Sequence, residues 1–552
     1  MTTGTTSGRS AGRTPGDIGE AGPGTGGIVR SSTAMALGTV ISRATGFLRT
    51  VVLATAIGLA VGDAYNVANT LPNVVYELLL GGVLTSVVVP LVVEAATRDG
   101  DDGEAHAQRL LTLVAIALTA ATTVAVLLAP WIIRLYTGGR DPATVDLATT
   151  FARFFLPQII FYGLGALIGA ILNTRDSFAP PMWTPILNNI VVIATGLLFI
   201  AVTTGAPQPG HLSTTQTWVL GFGTTLGIVV QTVALLPALR RTGFRLRVRW
   251  DFRNSGLRRA ARLAGWVLVY VAANQLAFIA IVRLARGAYQ GGFSAYTYAF
   301  FLVQLPHAIV AVSVITALLP RMSRAATAGR RDLVADDLAT GLKLAGVLLV
   351  PAQLVCIVLG PLIATVVFAH LNIDVDQARF IGAVLAAYAV SLVPFSAFQL
   401  QLRGFYALQD TRTPALVNVA IAVLNVVVDV ILFVTLHGRD RVVGLAIGYS
   451  VSYIAGFILF TALLRRRLQR PERRTRLLQT YVRLSVAAML GTAVAWVVAT
   501  AAVHVLDDGP LGAGVGVFGG LLLGTPVYVA AAMRMRVAEM RQVAGMVRRR
   551  FG

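Results

Sequence analysis

The chain has 552 residues, 56% of them hydrophobic and 13% charged, with a mean hydropathy of +0.73. A bilayer span needs about 20 mostly apolar residues, and fourteen such stretches fill the chain, which excludes a soluble domain between them. The formal net charge of +21 would suit nucleic acid, but it sits in three arginine clusters, nine in 240–262, seven in 465–476 and six in 534–550, each just outside a span. Basic loops of that kind mark the cytoplasmic side of a membrane.

In chain order, residues 1–30 are rich in Gly, Thr and Ser and read as a disordered cytoplasmic tail. They lack the apolar core of a secretory signal. The predicted spans are 32–58, 63–93, 110–133, 151–172, 183–204, 217–239, 263–285, 294–319, 338–368, 378–406, 414–435, 442–464, 481–505 and 511–533. With both termini inside, every basic cluster follows an even number of spans. The opposite loops are poor in arginine: 205–216 has none, and Asp507 and Asp508 lie in another. The fold class is therefore all-α and polytopic. It divides into a six-span lobe at 31–239, a basic linker at 240–262, a second lobe at 263–464, a basic loop at 465–480, spans 13 and 14 at 481–533 and a basic tail at 534–552.

Arg43 and Arg49 lie inside the first span. Arg43 is about 12 residues in, roughly 18 Å deep at 1.5 Å per residue, too deep for easy snorkelling. An arginine at such a depth costs about 2.5–3.5 kcal/mol unless it faces a cavity, a partner or a substrate. An anionic cargo is one reading; an ion pair with Asp63 or Glu77 is the other. Arg49 falls about 120° round the helix from Arg43. Asp63 opens span 2 as a helix cap, a gate residue or both. Glu77, five residues beyond Pro72, is a partner for a cavity arginine or a group that satisfies a helix break. Arg283 and Arg286 share a face of span 7 at i and i+3, as cavity cations or as residues snorkelling to the interface. In span 11, Asn425 and Asp429 share a face at i and i+4 among Val, Leu and Ile. A buried carboxylate with an amide oxygen suits a hard cation, with Asn274 and Ser450 as further contributors. The alternative is an aspartate that only packs helices. Asn188, Asn189, Asn173 and Asn418 read as hydrogen bonds between helices.

The halves repeat. Leu71-Pro72 and Leu305-Pro306 are 234 residues apart, and so are Pro180 and Pro414, each closing a similar loop. Duplication of a six-span unit gives two lobes in the same orientation, related by an axis along the membrane normal, which commonly enclose a substrate path.

Ser42-Arg43-x-x-Gly46-Phe47-x-Arg49, Gly62-Asp63-Ala64-Tyr65, Leu71-Pro72-Asn73 and Gly81-Gly82 resemble the start of the MurJ/MviN lipid II flippases, of the multidrug/oligosaccharidyl-lipid/polysaccharide exporter superfamily. Gly404 to Pro414 resembles that family's loop before span 11. Gln304-Leu305-Pro306 and Ala311 to Pro320 resemble its actinobacterial branch, whose members often carry a kinase-like domain after span 14 that these 552 residues do not include. The resemblance implies a V-shaped pair of lobes around a cationic cavity and lipid II as cargo. It implies that Arg43 and Arg49 engage the diphosphate, that Asp63 lies near the outer gate, and that spans 13 and 14 form an apolar groove for the polyprenyl tail. It offers a precedent for sodium between spans 7, 11 and 12. The departures are Tyr76, Phe301 and Gln304, which stand where the best-known members carry charge. Tyr76 and Gln304 remain substrate-facing positions, and Arg283 and Arg286 are the cations available to replace what is lost.

No catalytic constellation, nucleotide-binding loop or metal-ligand spacing occurs, so the expectation is a transporter and not an enzyme. It would act as a monomer in the cell membrane with no cofactor beyond sodium or the membrane potential. Its partners would be lipid II, membrane lipids and cell-wall synthesis proteins. The rivals are a flippase for another lipid-linked saccharide, a cation-coupled drug exporter, and a non-transporting cell-wall scaffold.

Overall fold

The computed structural model describes residues 25–78, 101–139, 141–175, 177–250, 274–468 and 474–540, which are helices and short turns without a strand. The first lobe opens with α1, Thr25–Leu78, bent at Gly58 (φ 67°, ψ −175°). That conformation favours glycine, and the bend separates span 1 from span 2. Next come α2 (Asp101–Thr137), α3 (Pro142–Phe155) and α4 (Gln158–Thr174). The lobe closes with α5 (Ala179–Ala201), α6 (Thr214–Val233) and α7 (Leu235–Arg241). The second lobe has α8 (274–288), then α9 (Gly292–Pro306), a π-helical turn (His307–Ala311) and α10 (Val312–Thr327) in one line. It continues through α11 (Arg331–Phe368), α12 (Val375–Ala389), α13 (Leu392–Ala407), α14 (Arg412–Thr435) and α15 (Asp440–Leu468). Two further helices follow, α16 (Arg474–Val505) and α17 (Pro510–Arg534).

Among the described residues, eleven helical stretches are long and apolar enough to cross a bilayer, or twelve with the bent pair α12–α13. Dividing α1 at Gly58 and adding α8 is consistent with fourteen. The expected tail at 1–30 is shorter than the sequence implies, because α1 begins at Thr25. Residues 79–93 of span 2, the arginine run 253–262 and the tail beyond 540 lie outside the described residues.

The duplication is visible in how helices break. Span 4 breaks at Leu156–Pro157, where proline has no N–H to continue the ladder. Span 10 breaks at Val390–Ser391 with a 48° bend, and the Ser391 hydroxyl donates to the Tyr388 carbonyl at 2.7 Å. Pro157 and Ser391 are 234 residues apart. The bends at Gly58 and Gly291 (φ 82°) are one residue off that spacing. Helix starts are secured locally: Ser213 and Gln216 form a capping box on α6, and Asp374 caps α12 by accepting from Gln377 N at 2.7 Å.

Packing gives the lobes their splay. At the end that carries Gly58, one continuous core holds Ile57, Val61 and Tyr65 with Phe151 and Phe155 of the first lobe and Phe293, Tyr298 and Phe368 of the second. Towards the end that carries the arginine clusters the cores separate. Leu110, Leu172 and Phe244 form one, and Phe398, Phe405 and Phe460 form the other. The molecule is a V, joined at the hinge end and divided at the basic end. α16 packs on α11 through Val347, Val350 and Leu484. α17 packs on α16 along Gly516, Gly520 and Gly524, where helix backbones approach closely, and on α11, where the Tyr528 hydroxyl donates to Val347 O.

Candidate functional site

The hinge end closes through two polar latches between lobes. Asp63 is buried; its Oδ2 accepts from Gly291 N at 3.0 Å and its Oδ1 from Ser294 N at 2.8 Å. These are unpaired N–H groups at the start of α9, where a carboxylate is also favoured by the helix dipole. Asp63 therefore caps a helix of the opposite lobe and not the start of its own span, since α1 runs through it without a break. Asn66 adds a bond to Ser294 Oγ at 3.3 Å. Any Cβ on Gly62 would meet Ser294 Oγ at 2.7 Å, so the approach requires glycine. In the second latch, Asn372 donates from its backbone to Thr55 O at 3.2 Å and from Nδ2 to Ala56 O at 2.7 Å. The bend at Gly58 leaves those carbonyls without their helical partners.

Arg283 and Arg286 belong to this closure and do not join Arg43 in a common cavity. Arg283 Nε donates to Leu135 O at 2.6 Å. Arg286 lies between the charges of Asp63 and Asp141, and its buried Nε and NH1 make no hydrogen bond among the described residues. The arginine whose charge acts on Asp63 is thus Arg286, not Arg43. Span 7 ends at the joined side of the V, which is why its cations are found there.

Deeper in the gap, Arg43 is exposed and makes no hydrogen bond or ion pair among the described residues. Its helix is held from behind by α5: Asn189 Nδ2 donates to Ser42 O at 3.1 Å and to Thr45 Oγ1 at 3.0 Å. Arg49 is half-buried and bonded to the Tyr65 hydroxyl, which pairs with Thr224 Oγ1 at 2.9 Å. The two arginines therefore differ: one free, one committed within its own lobe. Phe47 stacks on Phe301 across the lobes with centroids 6.1 Å apart. Phe301 thus makes an apolar bridge between the lobes. Gln304 is half-buried one turn along. The side chains of Tyr76 and Glu77 lie outside the described residues.

The expected cation site comes together in part. Asn425 Nδ2 donates to Asp429 Oδ2 at 3.0 Å, and Asp429 is fully buried with Oδ1 unpaired among the described residues. Gly448 leaves no space for a Cβ beside that oxygen. The other two named residues are engaged elsewhere. Asn274 accepts from Asn418 Nδ2 at 3.1 Å, about two turns from Asn425. Ser450 donates to Ala387 O at 2.8 Å, beside the break in span 10.

At the basic end, a cleft of about 610 Å³ runs between α11, α13, α15 and α16, lined by Leu338, Leu342, Ala397, Phe457, Leu464 and Tyr481 among others. The groove expected of spans 13 and 14 takes a wall from span 13 only, through Leu477, Leu478 and Tyr481; among the described residues α17 packs on both α16 and α11 without lining it. Sequence reading missed Asn372 and His307. Asn372 bonds across 316 residues, and His307 was one of six scattered histidines. Its signal was its position, after Pro306 inside an apolar span.

Two lobes that meet at one end and part at the other define a multi-pass transporter fold. A solved multidrug-resistance MATE transporter of the MOP superfamily, in an inward-facing conformation, matches with a TM-score of 0.56 at 16% identity, over 77% of this chain and 98% of that one. A solved lipid II flippase MurJ in an inward closed conformation matches with a TM-score of 0.73 at 20% identity, over 90% of this chain and 97% of that one. The sequence profile described as lipid II flippase MurJ matches residues 53–506, and the chain belongs to that family. Curated relatives include the lipid II flippase MurJ of Burkholderia cenocepacia, 28% identical over 79% of this chain and 83% of that protein. The probable lipid II flippase MurJ of Vibrio cholerae is 28% identical over 77% and 80%.

Proposed function

We propose that the protein moves lipid II, the polyprenyl-diphosphate-linked peptidoglycan precursor, from the inner to the outer leaflet by alternating access. Family membership supports the cargo. The observation that carries the mechanism is Arg43, a cation unpaired among the described residues, in a gap that is closed at the hinge end and divided at the basic end. With the termini and arginine clusters in the cytoplasm, this is a conformation that receives cargo from inside. Arg43 supplies charge and planar donors that match a diphosphate. Arg49 becomes available if Tyr65 releases it. The cleft beside α16 takes the apolar tail, which leaves the saccharide in the gap. Opening outward requires Asp63 and Asn372 to leave α9 and the Gly58 bend. Binding that favours lobe closure at the basic end would offset that loss.

Asn425 and Asp429 are the residues that would hold sodium, with Asp429 Oδ1 as the free ligand. A sodium ion there, or the membrane potential acting on the lobe charges, would drive the cycle. The protein works as a monomer among membrane lipids, with its basic loops on the anionic cytoplasmic surface and cell-wall synthesis proteins as recipients of the product.

Depletion in the native host, with rescue by wild type or Arg43→Ala, tests the reading by scoring lipid II exposed on the outer leaflet. Rescue by wild type and not by an equally expressed Arg43→Ala is the expected result. Normal exposure without the protein would remove lipid II as its required cargo.

A further inference from the structure

α9 ends at Pro306, and His307–Ala311 winds as one π-helical turn before α10 begins. Proline cannot bond back into the helix, and single π turns inside α-helices recur at functional sites. His307 is only 9% exposed. Its Nδ1 lies 2.9 Å from Ser396 Oγ, and its ring lies against Phe395 with centroids 4.7 Å apart. Nε2 has no partner among the described residues. The Ser396 hydroxyl can donate to Nδ1, which sets the tautomer that leaves N–H on Nε2.

Two features of the transport reading meet at this ring. Towards the first lobe, the Phe47–Phe301 stack joins α1 to α9. Arg43 is four residues from Phe47 and His307 is six from Phe301, about 6 and 9 Å along their helices in the direction of the basic end. The charge of Arg43 acts on His307 at that depth. Towards the second lobe, Ser396 lines a small enclosed void with Leu342, Val393, Ala397 and Tyr481. Those four residues also line the apolar cleft. His307 therefore stands between a free cation and the path for a hydrocarbon chain.

We propose that His307 is a substrate-contact residue that donates from Nε2 to a diphosphate oxygen where the headgroup passes into the tail. The inference rests on the lipid-flippase reading and specifies its ligand chemistry: an anion bracketed by Arg43 from one lobe and His307 from the other, continuous with an apolar chain. Ser396 is a positioning residue that holds the ring.

Purified full-length protein in nanodiscs, titrated with undecaprenyl diphosphate and with undecaprenol, tests this. His307→Phe should bind the diphosphate about tenfold more weakly, as loss of a hydrogen bond to a charged group implies, with undecaprenol unchanged. His307→Gln, which keeps an N–H donor, should retain most of the affinity, and Ser396→Ala should lose several-fold for the diphosphate only. Unchanged binding of both lipids by His307→Phe, while wild type prefers the diphosphate, overturns the inference and leaves the transport reading standing. An equal loss for both lipids overturns it in favour of a packing role. If wild type itself does not prefer the diphosphate, the transport reading fails and the inference with it. Should His307→Phe not fold, Ser396→Ala decides between the same outcomes.

Discussion

At the scale of single residues, this protein separates charges that hold it together from a charge it leaves free. Asp63 accepts two backbone N–H bonds and lies beside Arg286. Each hydrogen bond to a buried charged group contributes about 1.5–3 kcal/mol. Asp63→Ala should therefore lower the stability of the joined hinge end by about 3 kcal/mol, read as a drop in unfolding temperature in detergent. Asp63→Asn should cost less, since its Oδ1 can still accept one bond. Arg43→Ala should leave the unfolding temperature close to wild type, because Arg43 makes no hydrogen bond or ion pair among the described residues. If Arg43→Ala is as destabilising as Asp63→Ala, Arg43 has a structural partner and its availability to substrate is refuted. The arginine was legible in the sequence because a charge in an apolar run stands out. That Asp63 would not pair with it was not, because Asp63 is drawn away by the start of α9, more than 220 residues downstream.

At the scale of elements, bends and loop caps carry the design. Gly58 has a positive φ, and a Cβ there would meet Asn372 O at 3.0 Å. Gly58→Ala should cost about 1–3 kcal/mol through backbone strain alone and should loosen the latch on Thr55 and Ala56. Faster hydrogen exchange at residues 369–374 than in wild type is the expected readout. Between α13 and α14, Asp410 accepts from Thr413 N at 3.0 Å and from Thr413 Oγ1 at 2.8 Å, and it pairs with Arg467 at 3.2 Å. Burial pushes its carboxyl up, but the Thr413 bonds and Arg467 outweigh that and hold it below the usual range. A depressed carboxyl contributes stability above the unfolded-state value, about 3.9, and loses it as pH falls through the folded value. Asp410→Asn should thus unfold at a lower temperature than wild type at neutral pH, and the gap should close on acidification below about pH 4. A constant gap would mean that shape, not charge, caps α14. The loop was visible from sequence as half of a repeat. The matched breaks at Pro157 and Ser391 were not, because serine at the second position carries none of proline's signal and its hydroxyl bond to Tyr388 depends on the tertiary fold.

At the scale of the whole molecule, the V arises from one fused core and several separate ones, and coupling must act through that difference. The all-α, multi-pass architecture follows from apolar run length and spacing, so sequence carried it. Which end of the V is closed depends on contacts between residues hundreds of positions apart, so sequence did not. Asp429 illustrates both sides. Its burial was predictable from its apolar helix, whereas the distance of Asn274 and Ser450 from it was set by how α14 and α15 meet their neighbours. If Asp429 Oδ1 is a sodium ligand, sodium binds the folded protein and raises its unfolding temperature by mass action, while potassium at equal ionic strength does not. Asp429→Asn should abolish that response, because the amide removes the charge that offsets dehydration of the ion. The substitution should not destabilise the ion-free protein greatly, since among the described residues Asp429 has one internal bond, to Asn425. An identical sodium response in wild type and Asp429→Asn would remove this aspartate from ion coupling and leave the membrane potential as the drive.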